Sequence, residues 1–226
     1  MYTLYIANKN YSSWSLRPWV LMRTQGIPFT EKLIPFGPQP AGQSIAELTP
    51  SGKVPCLKDD ALWVWDSLAI VEYLAERHPG VWSADASARA WSRSAAAEMH
   101  ASFGALRTHC GMSCGQRVML QAVPAAVGAD LARLSTLWEQ GLVRQGGPFL
   151  AGRAFTAVDA FFAPVAFRIQ TYGLKLSQNA LDYAARLRAL PAMQQWYEEA
   201  LAEVWRDPEH ESQVRASGRV LEDLRA

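Results

Sequence analysis

The sequence predicts two domains of different class, an α/β domain over residues 1–80 and an all-helical domain over residues 87–226. Short apolar runs bounded by turn residues occur before residue 80, whereas the apolar residues after it recur at helical spacing. We therefore expect no strand after residue 80. The chain has 226 residues, half of them hydrophobic, which is enough for one large domain or two small ones.

The first half predicts the element order β-α-β-α-β-β-α. Gly26 and Pro28 end the first helix, and the pair Asp59-Asp60 forms a turn between two short apolar runs, as in an antiparallel hairpin. The predicted strands cover residues 2–7, 29–34, 54–58 and 61–65, and the predicted helices cover residues 16–25, 43–48 and 67–78.

The second half predicts a helical bundle. Its predicted helices cover residues 86–109, 127–142, 158–169, 180–190 and 193–204, with at most one more helix in the charged tail after Arg206. Thr156 and Asp159 have the spacing of a capping box, which opens a helix by two reciprocal hydrogen bonds. Apolar residues nearly surround the helix after them, so we expect it at the centre of the bundle.

The composition argues against several classes of partner. A net charge of +1 argues against nucleic-acid binding, and no apolar run is long enough to span a membrane, so we expect a cytoplasmic protein. The three cysteines form no CxxC pair, and four histidines are too few to suggest a metal cluster. We therefore expect no bound metal.

Four motifs, in this order along the chain, resemble the glutathione S-transferases. They are Ser12-Ser13-Trp14-Ser15-Leu16-Arg17, Gly52-Lys53-Val54-Pro55, Asp66-Ser67 and Thr156-Ala157-Val158-Asp159. The first motif is most similar to the zeta and tau classes, which use a serine and place an arginine five residues after it. The resemblance implies a thioredoxin-like, glutathione-binding first domain, a helical second domain, glutathione as co-substrate and a homodimer.

The resemblance implies that a serine hydroxyl stabilises the thiolate of glutathione. A free thiol is mostly protonated at neutral pH, and a hydroxyl donating at a helix N-terminus favours the anion. Pro18 is most easily accommodated in a first helical turn, so we expect Ser15 to cap the helix and the two preceding serines to be free. The family spacing favours Ser12 as the donor, with Ser13 and Tyr11 as alternatives.

The resemblance also assigns the remaining site residues. Val54, held before a cis Pro55, would pair its backbone with glutathione. Ser67 and Asp66 would bind the γ-glutamyl group, and Lys53 would meet the glycyl carboxylate. The other predicted positions are Ser12 and Ser13 for glutathione, Tyr11, Trp14, Met99, His100 and Phe103 for the electrophile pocket, and Pro55, Ser15, Thr156 and Asp159 for structural roles.

We therefore predict a glutathione transferase that adds the thiolate to a small hydrophobic electrophile. One alternative is a zeta-like maleylacetoacetate isomerase, whose diacid substrate requires basic residues, although the segment 99–116 offers only Arg107. A peroxidase or disulfide-exchange role ranks lower, because that chemistry requires a cysteine at the position of the serine. A glutathione-binding protein without catalytic activity is the alternative from another class.

Overall fold

A computed structural model describes residues 1–226, and its first domain has the predicted order of elements. The elements are β1 (Tyr2–Ile6), α1 (Ser13–Thr24), β2 (Phe29–Leu33), α2 (Ile45–Leu48), β3 (Cys56–Asp59), β4 (Leu62–Trp65) and α3 (Ser67–Ala75). The prediction of a thioredoxin-like domain is confirmed.

The four strands form one mixed sheet in the order β2-β1-β3-β4. β1 runs parallel to β2 and antiparallel to β3, with Leu4 opposite Glu31 on one side and Leu57 on the other. β3 and β4 form the predicted hairpin, whose turn holds Asp60 at a φ of 51°. Leu4 and Leu57 are fully buried, so this sheet forms one wall of the core.

The second domain is helical, as predicted, but it also contains two strands. Its elements are α4 (Ala86–Ala101), α5 (Gly104–His109), β5 (Gln116–Leu120), α6 (Ala125–Gln145), α7 (Ala157–Tyr172), α8 (Gln178–Arg188), α9 (Pro191–Leu201), α10 (Pro208–Ser217) and β6 (Gly218–Asp223). No helix is both long and apolar enough to cross a membrane.

Two predictions for the second domain are wrong. β5 and β6 pair in an antiparallel sheet, although we expected no strand after residue 80. The helix expected over residues 86–109 is two helices, because Phe103 adopts a φ of 60° between α4 and α5 and buries its ring in the core. The β5–β6 pairing joins segments about a hundred residues apart, which local periodicity does not detect.

The helix α7 lies at the centre of the bundle, as predicted. Gln170 alone of its 16 residues is not buried. Helix α7 packs against α4 and α8 of its own domain and against α1 of the first domain. The contact between α1 and α7 therefore joins the two domains.

The capping box at the start of α7 is present, and its carboxylate has further partners. Asp159 accepts hydrogen bonds from the backbone N–H of Thr156 at 2.9 Å and of Leu150 at 2.9 Å. It also accepts from the hydroxyls of Thr156 and Tyr183. Because the carboxyl group is fully buried, its pKa rises from 3.8 to about 6 despite these four donors.

We predict that Asp159→Ala lowers the free energy of unfolding by at least about 2 kcal/mol, because it leaves several buried donors without an acceptor. Chemical denaturation measures this loss. Asp182→Ala, which removes an exposed carboxylate on α8, is the control and should change the stability by less than about 0.5 kcal/mol. Equal stabilities of the two variants would show that the Asp159 hydrogen bonds do not stabilise the fold.

The raised pKa of Asp159 also predicts a pH dependence. The folded state binds this proton more tightly than the unfolded state, so protonation of Asp159 stabilises the fold. This contribution to the free energy of unfolding is fully present below pH 3.8 and is lost as the pH rises through about 6. The stability difference between the wild type and Asp159→Asn should therefore shift by up to about 3 kcal/mol, against the wild type, from pH 4 to pH 7. A difference that is constant across this range would contradict the raised pKa.

Candidate active site

Ser12 caps the first helix. Its Oγ accepts from the backbone N–H of Ser15 at 3.4 Å and donates to the Oγ of Ser15 at 2.7 Å. Helix α1 therefore begins at Ser13, and the prediction that Ser15 is the cap is wrong. The error comes from Pro18, which is accommodated at the sixth helical position rather than in the first turn. The spacing Ser-x-x-Ser fits an N-cap whose side chain reaches the third helical residue.

The next serine has a different environment. The Oγ of Ser13 accepts a hydrogen bond from Nη2 of Arg168 on α7 at 3.3 Å, and Ser13 donates its own hydrogen to no protein group. Arg168 is 4% exposed, and burial lowers its pKa to about 10, so it stays charged at neutral pH. No local sequence pattern marks Arg168, because it lies within an otherwise apolar helix far along the chain.

Tyr11, which was predicted for the electrophile pocket, is 3% exposed and contacts the C-terminal segment. Its hydroxyl donates to Glu211 at 2.6 Å and accepts from Arg225 at 2.9 Å, and its ring stacks on His210. Burial and the bond to Glu211 raise the pKa of Tyr11. Tyr11 therefore anchors the C-terminal segment, and its hydroxyl hydrogen is already donated to a carboxylate.

A cavity of about 430 Å³ lies beside the start of α1 and collects several of the predicted residues. Its lining consists of Trp14, Ser51, Lys53, Val54, Pro55, Trp65 and Asp66. Two of these residues, Ser51 and Trp65, were not predicted from the sequence. Trp65 at the end of β4 is 48% exposed, and a short apolar run in the sequence does not predict that exposure.

Val54 presents unpaired backbone groups in this cavity. The peptide bond between Val54 and Pro55 is cis, as the resemblance implied. Neither the N–H nor the C=O of Val54 forms a hydrogen bond within the protein. An extended peptide can pair with such a backbone edge as an added strand does.

Asp66 and Ser67 form the N-terminus of α3. Asp66 is the N-cap and accepts from the backbone N–H of Leu68 at 3.0 Å. The hydroxyl of Ser67 donates to Asp66 and accepts from Nη1 of Arg17 at 3.4 Å. The positive helix end, the hydroxyl and the guanidinium together favour a carboxylate, while Asp66 can accept from an ammonium group.

The three residues predicted on the first helix of the bundle occupy different places. Met99 and Phe103 are buried in the hydrophobic core and do not line the cavity that contains Val54. His100 lies at the site, with its Nδ1 3.6 Å from an Asp66 oxygen and its ring edge-on to Trp14. Burial is the largest of the effects that lower the pKa of His100, so it is mainly neutral at neutral pH.

None of the three cysteines is placed to act as a nucleophile in the way that a cysteine at the serine position would. Cys56, Cys110 and Cys114 are free and buried, and burial raises the pKa of Cys56 and of Cys110 to about 11. A raised pKa disfavours the nucleophilic thiolate. The structure contains no group of three or more His, Cys, Asp or Glu side chains arranged to hold a metal ion.

Comparison with known proteins agrees with this fold. Family models for the glutathione S-transferase N-terminal domain and C-terminal domain match residues 11–77 and 84–199, respectively. The chain belongs to the glutathione S-transferase family.

Two curated relatives extend this comparison. The chain is 30% identical to glutathione S-transferase DHAR2 from Arabidopsis thaliana over 158 residues. These aligned residues cover 69% of this chain and 66% of the relative. It is 31% identical over 78 residues to a probable maleylacetoacetate isomerase from Caenorhabditis elegans, 34% of this chain and 36% of the relative. The chain thus spans less than two thirds of the length of either relative.

Solved structures share the fold at low identity. A glutathione transferase homolog from Burkholderia gl BGR1 with bound glutathione matches with a TM-score of 0.65 and 22% identity, covering 88% of this chain and 97% of that one. A theta class glutathione S-transferase from Xanthomonas axonopodis pv. citri, also with glutathione bound, has a TM-score of 0.63 and 23% identity, covering 87% and 96%.

We predict that Ser12→Ala lowers the free energy of unfolding by about 1 kcal/mol, because α1 loses its N-cap. Thermal or chemical denaturation measures the change. Ser94→Ala, an exposed serine in the middle of α4, is the control and should cost less than about 0.5 kcal/mol. If the two variants are equally stable, Ser12 does not act as the cap of α1.

Proposed function

We propose that the chain is a glutathione transferase that ionises the thiol of bound glutathione and adds the thiolate to a small hydrophobic electrophile. The observation that carries this proposal is the Ser13 hydroxyl at the N-terminus of α1, whose hydrogen is not donated within the protein and whose oxygen accepts from a buried guanidinium. Ser13 was the alternative donor in the sequence analysis. The hydrogen of Ser12 is already donated to Ser15, which makes Ser12 the weaker candidate.

In the proposed mechanism, Ser13 stabilises the thiolate without removing its proton. The hydroxyl donates to the sulfur anion, and Arg168 polarises that hydroxyl and adds positive charge. The N-terminus of α1 contributes in the same direction. The thiol proton passes to solvent, and the thiolate then forms the new S–C bond while that carbon either loses a leaving group as an anion or gives up a π bond whose electron pair takes a proton from solvent.

The peptide part of glutathione would be held by three groups. The unpaired backbone of Val54 would bind the cysteinyl residue, and Ser67 with Asp66 would bind the γ-glutamyl carboxylate and ammonium. The exposed Lys53 at the cavity would meet the glycyl carboxylate. These groups differ from the one that acts on sulfur, so binding and activation should respond to different substitutions.

We also propose a cytoplasmic homodimer, with the Asp66 end of the first domain facing the helical domain of a second copy. The support is the family and the exposed large side chains of β4, in which Leu62 is 50% and Trp65 is 48% exposed. Sedimentation at tens of micromolar tests this association, and a monomer would contradict it.

We predict that calorimetry detects glutathione binding with a dissociation constant between about 1 μM and 1 mM, which is 4 to 8 kcal/mol. Ser67→Ala should weaken it at least about tenfold, because one charge-assisted bond is lost. Ser87→Ala, an exposed serine of α4, is the control and should bind glutathione as the wild type does. The absence of heat at several millimolar glutathione would contradict the proposed function.

We predict that Ser13→Ala leaves glutathione affinity nearly unchanged but raises the pKa of the bound thiol by about one to two units. Turnover with 1-chloro-2,4-dinitrobenzene at neutral pH should fall about tenfold to a hundredfold and recover partly at higher pH. Thiolate absorbance of the bound complex measures the pKa. A protein that binds glutathione but shows no lowered thiol pKa in the wild type would be a carrier rather than an enzyme.

A further inference from the structure

Residues 7–12 form the segment that connects β1 to α1 and leads directly to Ser13. This connecting segment is a closed turn, because the backbone N–H groups of Tyr11 and Ser12 both donate to the carbonyl of Asn8, at 3.1 and 2.8 Å. The N–H of Ser13 in turn donates to the carbonyl of Tyr11 at 2.8 Å. The position of Ser13 therefore depends on what holds the middle of the connecting segment.

A single buried carboxylate of the second domain holds the middle of this segment. Glu203 lies two residues after the end of α9 and is 5% exposed. Its Oε1 accepts from the backbone N–H of Lys9 at 2.5 Å. Its Oε2 accepts from the backbone N–H of Asn10 at 3.2 Å and from the side-chain Nδ2 of Asn10 at 3.2 Å. Both oxygens of the carboxylate are thus bonded to the connecting segment.

Other groups of the second domain bond to the same two residues. The carbonyl of Lys9 accepts from the indole Nε1 of Trp196 at 2.9 Å. The carbonyl of Asn10 accepts from the N–H of Cys114 at 3.2 Å, and its side-chain oxygen accepts from the N–H of Gly115 at 3.2 Å. Every backbone N–H and C=O of Lys9 and Asn10 is therefore bonded to the second domain.

Glu203 is not needed to balance the charge of Lys9. The ammonium group of Lys9 forms ion pairs with Glu31, at 2.7 Å, and with Glu199. Burial raises the pKa of Glu203, while the three N–H donors and the charge of Lys9 oppose that rise. Because its two oxygens bond to N–H groups of the connecting segment, the main contribution of Glu203 is to fix the position of that segment.

We propose that Glu203 is a positioning residue, which holds Lys9 and Asn10 so that the hydroxyl of Ser13 lies within reach of the glutathione sulfur. The inference rests on the proposed function, in which Ser13 donates to the thiolate. Arg168 of α7 bonds to the Ser13 hydroxyl itself, and Glu203 holds the chain that precedes it. Both groups belong to the second domain, so the docking of the two domains would set the ionisation of the thiol.

Position and charge predict opposite effects of removing this carboxylate. A carboxylate repels a nearby thiolate, so its removal lowers the pKa of the bound thiol if Glu203 acts through its charge alone. If Glu203 acts by holding the connecting segment, its removal displaces the Ser13 hydroxyl and raises that pKa. Glu203→Gln separates the two effects, because it keeps the size of the side chain but offers one acceptor oxygen instead of two.

Thiolate absorbance of glutathione bound to the full chain measures the pKa. Glu203→Gln should raise it by about half a unit to one unit and lower turnover at neutral pH about threefold to tenfold. Glutathione affinity should stay within about twofold of the wild type, because Val54 and Ser67 lie on other elements. Glu198→Gln, which removes an exposed carboxylate of α9, is the control and should change none of these quantities. An unchanged or lowered thiol pKa in Glu203→Gln would overturn the inference.

Two further variants show whether the effect passes through Ser13. In a Ser13→Ala background, Glu203→Gln should shift the thiol pKa by less than about 0.2 units, and a full shift there would overturn the role of Ser13. Trp196→Phe removes the indole N–H that bonds to the carbonyl of Lys9 but keeps an aromatic ring. It should also raise the thiol pKa, so the inference stays testable if Glu203→Gln does not fold, and a folded Trp196→Phe without a shift would then overturn it.

The wild type separates this inference from the proposed function. If the wild type does not bind glutathione, or binds it without lowering the pKa of its thiol, the proposed function is wrong and this inference falls with it. If the wild type lowers that pKa and Glu203→Gln lowers it equally, the inference alone is wrong and the proposed function stands.

Discussion

The packing of α1 against α7 is the constraint on which the site depends. α1 belongs to the first domain and α7 is the buried centre of the second, so their contact fixes one domain against the other. Within it, Arg168 of α7 donates to Ser13 at the first turn of α1, and Arg17 lies against Phe161 of α7. The chemistry proposed for the first domain therefore requires the second domain to be in place.

This contact explains how a chain of nearly neutral net charge obtains a strongly positive site. Only three of the 22 lysine and arginine residues are buried, and two of them, Arg17 and Arg168, lie at this contact, where burial strengthens their effect on a nearby anion. The anion relevant here is the thiolate of glutathione, on which Arg168 would act through Ser13.

Local patterns predicted the parts of the fold that depend on local interactions. The order of elements in the first domain, the β3–β4 hairpin and the Thr156–Asp159 capping box are each encoded in a few neighbouring residues. The β5–β6 pairing and the position of Arg168 depend on tertiary contacts, so periodicity does not reveal them. At α1, the prediction placed Pro18 in the first turn and therefore made Ser15 the N-cap and Ser12 free. The Ser12–Ser15 spacing, which fits an N-cap at Ser12, was the better guide.

The most direct test of this account is a crystal structure of the chain with glutathione bound. The central claim is that the Ser13 hydroxyl, held by Arg168 across the domain contact, binds the sulfur. The account predicts the sulfur within hydrogen-bonding distance of Ser13 Oγ, with the Arg168–Ser13 bond intact and Ser12 still bonded to Ser15. A sulfur bonded to Ser12 or Tyr11 instead, with Ser13 turned away from it, would contradict the claim.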